Sequence, residues 1–313
     1  MDEKLNHTCK VCNTGFKTER SLHTHIKAHG VFLQDYYTTY YPRASLYNNK
    51  PIPFINKSQY FSTYFNSRDE MSVWLKNADK QEAQKILLDM LKNRIEGKEL
   101  KYGPNHLELM LSELPSIEDY KQFFGSYTEP CRRLGVSPLF NKSIKSKFLQ
   151  ENKNLKDIMV LIDTREQMPL KFKTQKTQKL DFGDYTASRE FYTKTYIDRK
   201  SETDFKSTMT VGFDRFRREL ARAKQFNSFL YIVVESSIPK IINNNSMGAH
   251  ESNLKFVWHQ MRLLSHEFAG SCQFVFSGGR KRSENLIELL LNAGDELWGV
   301  DLQYYIDNRI LKI

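Results

Sequence analysis

The sequence predicts an α/β domain in its carboxy-terminal half, a mixed central sheet flanked by helices, preceded by a small strand-strand-helix module and a mainly helical middle region. Three observations predict this. Apolar, β-rich runs at 158–162, 191–197, 229–234 and 273–276 alternate with helical stretches near 202–226, 251–268 and 281–293, the order of elements layered about one sheet. Two cysteines and two histidines stand at metal-ligand spacing within the first 30 residues. Between these ends, residues 70–100 carry apolar side chains at helical period, ended near Gly97. The expected divisions are 1–30, 31–135, a polar and basic connector over 136–157, and 158–313.

A chain of 313 residues exceeds one small domain and fits two folded units plus accessories, at about one domain per ~150 residues. Its 40% hydrophobic and 27% charged residues exclude a disordered or collagen-like chain. Four cysteines, Cys9, Cys12, Cys131 and Cys272, are too few for a disulfide scaffold and suit a reducing compartment. No apolar run approaches the ~20 residues of a membrane span, and the first residues lack the apolar stretch of a signal peptide. The expectation is an intracellular protein without a membrane partner, cytoplasmic in a bacterial or phage setting and nuclear in a eukaryotic one. Net charge is +10, spread as +2 over 1–30, +4 over 31–150 and +4 over 151–313. Such a spread suits contact with a polyanion through several surfaces, which makes DNA the first candidate partner.

Cys9, Cys12, Phe16, Leu22, His25 and His29 read as C-x2-C-x3-F-x5-L-x2-H-x3-H. Two thiolates on a hairpin and two imidazoles one helical turn apart close a tetrahedral Zn2+ site, and Phe16 and Leu22 supply a small core. The spacing resembles the ββα Cys-Cys-His-His zinc-finger family. His23 falls off the metal face. The family's base-reading positions correspond to Thr18, Ser21 and Thr24, short hydroxyls that cannot make bidentate contacts to bases. Backbone docking through Lys10, Lys17, Arg20 and Lys27 is expected, with a protein-contact finger as the alternative.

Residues 31–70 are rich in aromatics, expected as the core of a small β-containing unit rather than a base-stacking surface. Residues 115–135, with Pro115-Ser116, Gly125-Ser126 and Leu134-Gly135, resemble the helical repeat attached to many homing endonucleases; an ordinary helical hairpin fits the same residues. Arg132 and Arg133, with Lys142, Lys145 and Lys147, would face phosphates.

Acidic residues cluster at strand ends after 158. Asp163 closes the first run, Asp184 follows Gly183, and Asp198-x-Lys200 precedes Asp204. Period two places Asp198 and Lys200 on one face of a strand, and a turn brings Asp184 beside them. Two carboxylates make a hard oxygen site for Mg2+ or Mn2+, beside a lysine that orients water or steadies charge on a phosphate. Asp163-x-Arg165-Glu166, Gly183-Asp184 and Asp198-Arg199-Lys200-x-x-x-Asp204 resemble the XPF-type structure-specific endonuclease domain over roughly 158–293. The resemblance implies a restriction-endonuclease-like α/β fold and a metal-dependent phosphodiesterase acting on DNA. It implies Asp184 and Asp198 as metal ligands and Lys200 as the water-orienting base. Asp163, Arg199 and Asp204 take supporting positions. The family's glutamate is Asp198 here, one methylene shorter. Arg215, Arg217, Arg218 and Arg222, with Lys224, form a basic helical face, either a phosphate track or a solvated surface. The function expected is a DNA endonuclease targeted by its amino-terminal half, of phage, mobile-element or homing type or a processor of branched DNA, with a homodimer through the nuclease domain open. The alternative is a non-catalytic DNA-binding protein on a degenerate nuclease fold.

Overall fold

In the computed structural model, which describes residues 7–149, 158–188, 193–247 and 253–313, the chain divides into two units. One comprises residues up to 98 together with 113–130, and the other 99–112 with 131–313.

In the first unit, β1 (His7–Thr8) and β2 (Gly15–Phe16) pair antiparallel. Between them the chain turns at Asn13, whose φ of 61° suits asparagine's tolerance of the left-handed region. Helix α1 (Glu19–Ala28) follows, capped by the Thr18 hydroxyl on the Ser21 amide. It does not stand alone. Cys9, Leu22 and Ile26 share one core with Tyr36 and Tyr37 of α2 (Leu33–Tyr40), Ile52, and Tyr60 of α3 (Lys57–Ser62). The Tyr36 hydroxyl accepts the Lys10 amide at 2.9 Å, His23 Nε2 lies 2.8 Å from the Tyr37 hydroxyl, and Lys57 pairs with Glu19 at 2.9 Å. Tyr36, Tyr37, Tyr60 and Phe65 are core residues, as expected of this segment, whereas Phe32, Tyr40 and Tyr47 are exposed. Among the described residues 31–70 carry no strand, only an isolated bridge between Ala44 and Pro51, so the expected β content gives way to helices joined by turns.

Helices α4 (Arg68–Asn77) and α5 (Lys80–Gly97) fulfil the 70–100 periodicity, separated because Asp79 caps α5 through the amides of Gln81 and Glu82. Short β3 (Tyr102–Gly103) and α6 (His106–Leu111) belong to the second unit. Helix α7 (Ile117–Phe124) opens on a capping box between Ser116 and Asp119. It ends at Gly125, whose φ of 80° reverses the chain into α8 (Thr128–Arg133).

The second unit is built on a six-stranded mixed sheet. After β4 (Ser137–Pro138), which pairs with β3, the sheet strands are β5 (Met159–Ile162), β6 (Gln175–Thr177), β7 (Tyr185–Ser188), β8 (Thr195–Lys200), β9 (Phe229–Val234) and β10 (Cys272–Phe276). Their spatial order is β10-β9-β8-β7-β5-β6, with β8, β9 and β10 parallel and β7 antiparallel to both β5 and β8. The crossovers and flanks are α9 (Glu202–Thr208), α10 (Phe213–Gln225), α11 (Ile238–Met247), α12 (Leu254–Glu267), α13 (Arg280–Ala293) and α14 (Leu302–Asp307). Every residue of β9 is buried, the mark of a central strand covered on both faces. One face packs with Ile162, Tyr185, Ile197, Val233 and the Leu286–Leu291 stripe of α13; the other with Leu230, Ile232, Phe205, Phe216 and Leu220.

Three differences from the sequence-based expectation have physical reasons. The stretch near 202–226 is two helices, because the chain turns over 209–212, where the Gly212 amide bonds back to the Ser207 carbonyl. Ile144 and Phe148, inside the expected connector, are buried in the sheet core; residues 150–157 lie outside the described residues. The strand expected over 191–197 begins at Thr195, with 191–192 also outside them.

The hydroxyl of Tyr231, in fully buried β9, finds no hydrogen-bond partner among the described residues. An unpaired buried hydroxyl costs stability, so Tyr231→Phe is expected to be neutral or to stabilise by up to about 1 kcal/mol. Denaturant midpoints measure this; a loss beyond about 1 kcal/mol would show that the hydroxyl has a partner.

Candidate functional site

The β7–β8 pairing sets Tyr185 opposite Ile197, and one residue further the two strands present Asp184 and Asp198. The Asp184 amide donates to the Ile197 carbonyl at 2.7 Å, and Asp184 Oδ2 accepts the Arg199 amide at 2.7 Å. Gly183 makes this approach feasible. Its φ is +67°, and a Cβ there would lie 2.8 Å from the Ile197 oxygen. Its amide donates to Glu219 Oε1 of α10 at 3.0 Å, fixing the turn from the helix side.

Strand alternation sorts the residues of β8. Asp198 and Lys200 share a face, with Lys200 Nζ 3.0 and 2.9 Å from the two Asp198 oxygens and 4.8 Å over the Phe216 ring. Arg199 points to the other face, where Nη2 meets Glu166 Oε1 at 3.0 Å and Nη1 meets Glu235 Oε2 at 3.0 Å. Burial, then the charge of Asp198, pushes the Asp184 carboxyl well above the usual carboxylate range, against the Arg199 amide. For Lys200, burial acts downward, but the adjoining Asp198 more than offsets it and holds the ammonium protonated. Arg199 is likewise held charged: burial opposes it and Glu166 prevails.

Not every residue singled out from the sequence joins this pair. Asp163 is 1% exposed and engaged elsewhere, accepting from Arg165 Nε at 2.6 Å and from the Leu180 amide at 2.6 Å. Burial raises its carboxyl, yet the Arg165 side chain and the amides of Leu180 and Arg165 hold it below its ordinary value. Asp204 is exposed in the first turn of α9, which Ser201 caps: the Asp204 amide donates to the Ser201 hydroxyl at 3.1 Å, and its Oδ2 accepts that hydroxyl at 2.6 Å. On α10, Arg217 pairs with Glu267 at 2.7 Å, while Arg215, Arg218 and Arg222 are exposed at helical spacing beside Glu219. Arg132 and Arg133 are exposed at the end of α8. Glu219, Glu166 and Glu235 carry no role that the sequence alone suggests; the one signal for Glu219 is its position one turn after Phe216.

A second cluster lies in the first unit. Ligand atoms of Cys9, Cys12, His25 and His29 all fall within 4.8 Å of one another, the one such group of three or more His, Cys, Asp or Glu among the described residues. Cys12 Sγ is 3.0 Å from His25 Nε2, and His25 Nε2 is 2.9 Å from His29 Nε2. Bonds from Thr14, first its hydroxyl, and from His25 pull the Cys12 thiol down to about 6. Thr18, Ser21 and Thr24 are exposed but bonded within their own helix: Thr18 caps it and meets the Ser21 hydroxyl at 2.8 Å, and Thr24 donates to the Arg20 carbonyl. Lys17, Arg20 and Lys27 stand exposed.

No family model matches the chain, and no curated relative does. Among solved structures, XPF from Aeropyrum pernix in complex with DNA is similar at 19% identity and a TM-score of 0.34, over 43% of this chain and 64% of that one. A second structure of XPF from Aeropyrum pernix is similar at 18% identity and a TM-score of 0.34, over 47% of this chain and 71% of that one. The chain thus spans under two thirds of the first of these. No helix among the described residues is long and apolar enough to cross a membrane.

Because the folded Asp184 carboxyl titrates above its unfolded value, the folded state keeps a proton that the unfolded state releases between the two, and stability falls as pH rises through that window. Asp184→Asn, which keeps the acceptor for the Arg199 amide, is expected to raise the melting temperature of metal-free protein at neutral pH, with the gain vanishing at low pH. An unchanged melting temperature at pH 7 would contradict the like-charge strain.

Proposed function

We propose that the chain is a metal-dependent DNA endonuclease whose hydrolytic centre is Asp184, Asp198 and Lys200, and whose Cys-Cys-His-His cluster holds a structural Zn2+. The observation that carries the reading is the forced adjacency of two carboxylates beside a charged lysine. Burial and Asp198 disfavour the Asp184 anion, and a hard divalent cation would relieve that. The donors fit Mg2+ or Mn2+, held by Asp184 and Asp198. When bound, such an ion supplies Lewis-acid polarisation of a phosphate and a more acidic water.

The remaining work falls to the chain. Lys200, protonated as arranged, donates to a phosphate oxygen or to the attacking water rather than accepting its proton. Arg199 acts from behind, holding β8 to Glu166 and Glu235 so that its own amide stays on Asp184. Arg215, Arg218 and Arg222 provide phosphate contacts beside Glu219. Thiolate and imidazole donors suit Zn2+, and the lowered Cys12 thiol favours its deprotonated, ligating form. With its three hydroxyls internally bonded, the finger docks on phosphates through Lys17, Arg20 and Lys27 without reading sequence. The helical hairpin with Arg132 and Arg133 adds backbone contacts.

Incubation with plasmid, linear, flap and four-way-junction DNA tests the centre. Cutting is expected only with Mg2+ or Mn2+, and Asp184→Asn or Asp198→Asn should abolish it while DNA binding persists. Undiminished cutting by either variant removes the metal assignment, and binding without cutting by the unaltered chain favours a non-catalytic DNA-binding protein.

Metal analysis should find one zinc per chain, lost in Cys12→Ser. Since Cys9 and Ile26 share a core with Tyr36, Tyr37 and Tyr60, chelation should raise hydrogen exchange from 7–29 through 62, with β9 still protected. Exchange confined to 7–29 would show that the aromatic core holds without metal.

A further inference from the structure

Parallel β8, β9 and β10 end level, with Lys200 beside Val234 and Val234 beside Phe276. The loop after β10 and the first turn of α13 therefore stand beyond the same end of the sheet, two strands across from Asp198, roughly 10 Å at the ~4.8 Å spacing of neighbouring strands, and further along the strand axis, since Asp198 is level with Phe274. They are tied to the segment that follows β5. Arg280 Nη2 donates to the carbonyls of Met168 and Pro169 at 2.8 and 2.9 Å, and its Nη1 lies 3.5 Å from Glu235 Oε1. Arg199 Nη2 reaches the same Met168 carbonyl at 3.3 Å, and the Met168 amide donates to Glu166 Oε1 at 2.8 Å. Glu284 of α13 accepts the Lys171 amide. Residues 166–171 are thereby fastened to α13 and, through Arg199, to the strand of the acid pair.

The fastened segment shows a particular mixture to solvent. The Met168 side chain is 68% exposed although its amide and carbonyl are both held. Lys171 lies three residues on, and Lys281 and Arg282 follow Arg280 on α13, all exposed, with Lys281 paired to Glu284 at 2.8 Å. A lone exposed apolar residue is ordinary, as is a solvated lysine. A rigidly presented methionine among cations is a different surface: cations match phosphates, and an apolar side chain matches the sugar and base faces between them.

We propose that this ledge binds the backbone of the DNA strand flanking the scissile phosphate, Lys281 and Arg282 taking phosphates and Met168 packing on a sugar or base face. The proposal rests on the nuclease reading and deepens it by naming where the strand leaves the site. Arg280, engaged with two carbonyls and Glu235, is a positioning residue for the ledge.

The test compares the full zinc-loaded chain with Lys281→Gln/Arg282→Gln and with a charge-matched control, Lys194→Gln/Lys255→Gln. Lys194 precedes β8 at the opposite end of that strand, and Lys255 lies on α12. Metal-free binding to a duplex is measured across salt concentrations, and cutting with Mg2+ in parallel. The ledge pair should flatten the logarithmic salt slope by about 2, at about 0.9 for each phosphate no longer neutralised, and the control pair should not. Met168→Ser should weaken cutting and Met168→Leu should restore it, which a mere loss of charge would not explain. An unchanged slope in Lys281→Gln/Arg282→Gln overturns the ledge while leaving the nuclease reading intact. Absence of cutting by the unaltered chain with either metal overturns the nuclease reading instead, and the salt slope still decides whether the ledge meets DNA.

Discussion

Two carboxylates that burial would rather keep apart are placed side by side by backbone hydrogen bonding. The Asp184 amide on the Ile197 carbonyl and the Arg199 amide on Asp184 Oδ2 leave the pair no room to separate. Much of the surrounding structure compensates for that constraint. Gly183 accepts the close approach, Glu219 holds the Gly183 amide, and Lys200 meets Asp198 with both oxygens in reach. Arg199 secures the strand from the opposite face, and Arg280 extends that network to the loop after β5. The cost of the arrangement falls on Asp184, whose carboxyl burial and Asp198 push well above the usual carboxylate range.

The two donor sets of the proposed function fall in different units of the chain. Soft thiol and imidazole donors gather at the amino terminus, beside a small core that Cys9 shares with Leu22, Ile26, Tyr36, Tyr37 and Tyr60. Hard oxygens gather at the sheet, whose core of β9, β10 and α13 needs no metal to pack.

What could be seen in the sequence follows from whether local or tertiary forces decided it. The six apolar residues of Phe229–Val234 announce a buried strand, and the spacing of Cys9, Cys12, His25 and His29 announces their cluster, because both are local patterns. Asp198 and Lys200 are legible through strand alternation, and Asp184 through the turn after Gly183. The Arg199 clamp is not, because its partners Glu166 and Glu235 reach it only through the order β9-β8-β7-β5. Tyr185–Ser188 is short and half polar, so its place between β5 and β8 left no periodic signal. Ile144 and Phe148 were hidden among lysines and asparagines, where two apolar residues set no period although both enter the core.

The most direct measurement is electron paramagnetic resonance of Mn2+ titrated into the zinc-loaded full chain, since it reports the cation seat without any assumption about substrate. The unaltered chain should bind Mn2+ at one site of oxygen donors, and Asp184→Asn should lose it while zinc content stays the same. Equal Mn2+ binding by the variant, or none by the unaltered chain, would contradict the claim that the Asp184 and Asp198 pair exists to hold a divalent cation.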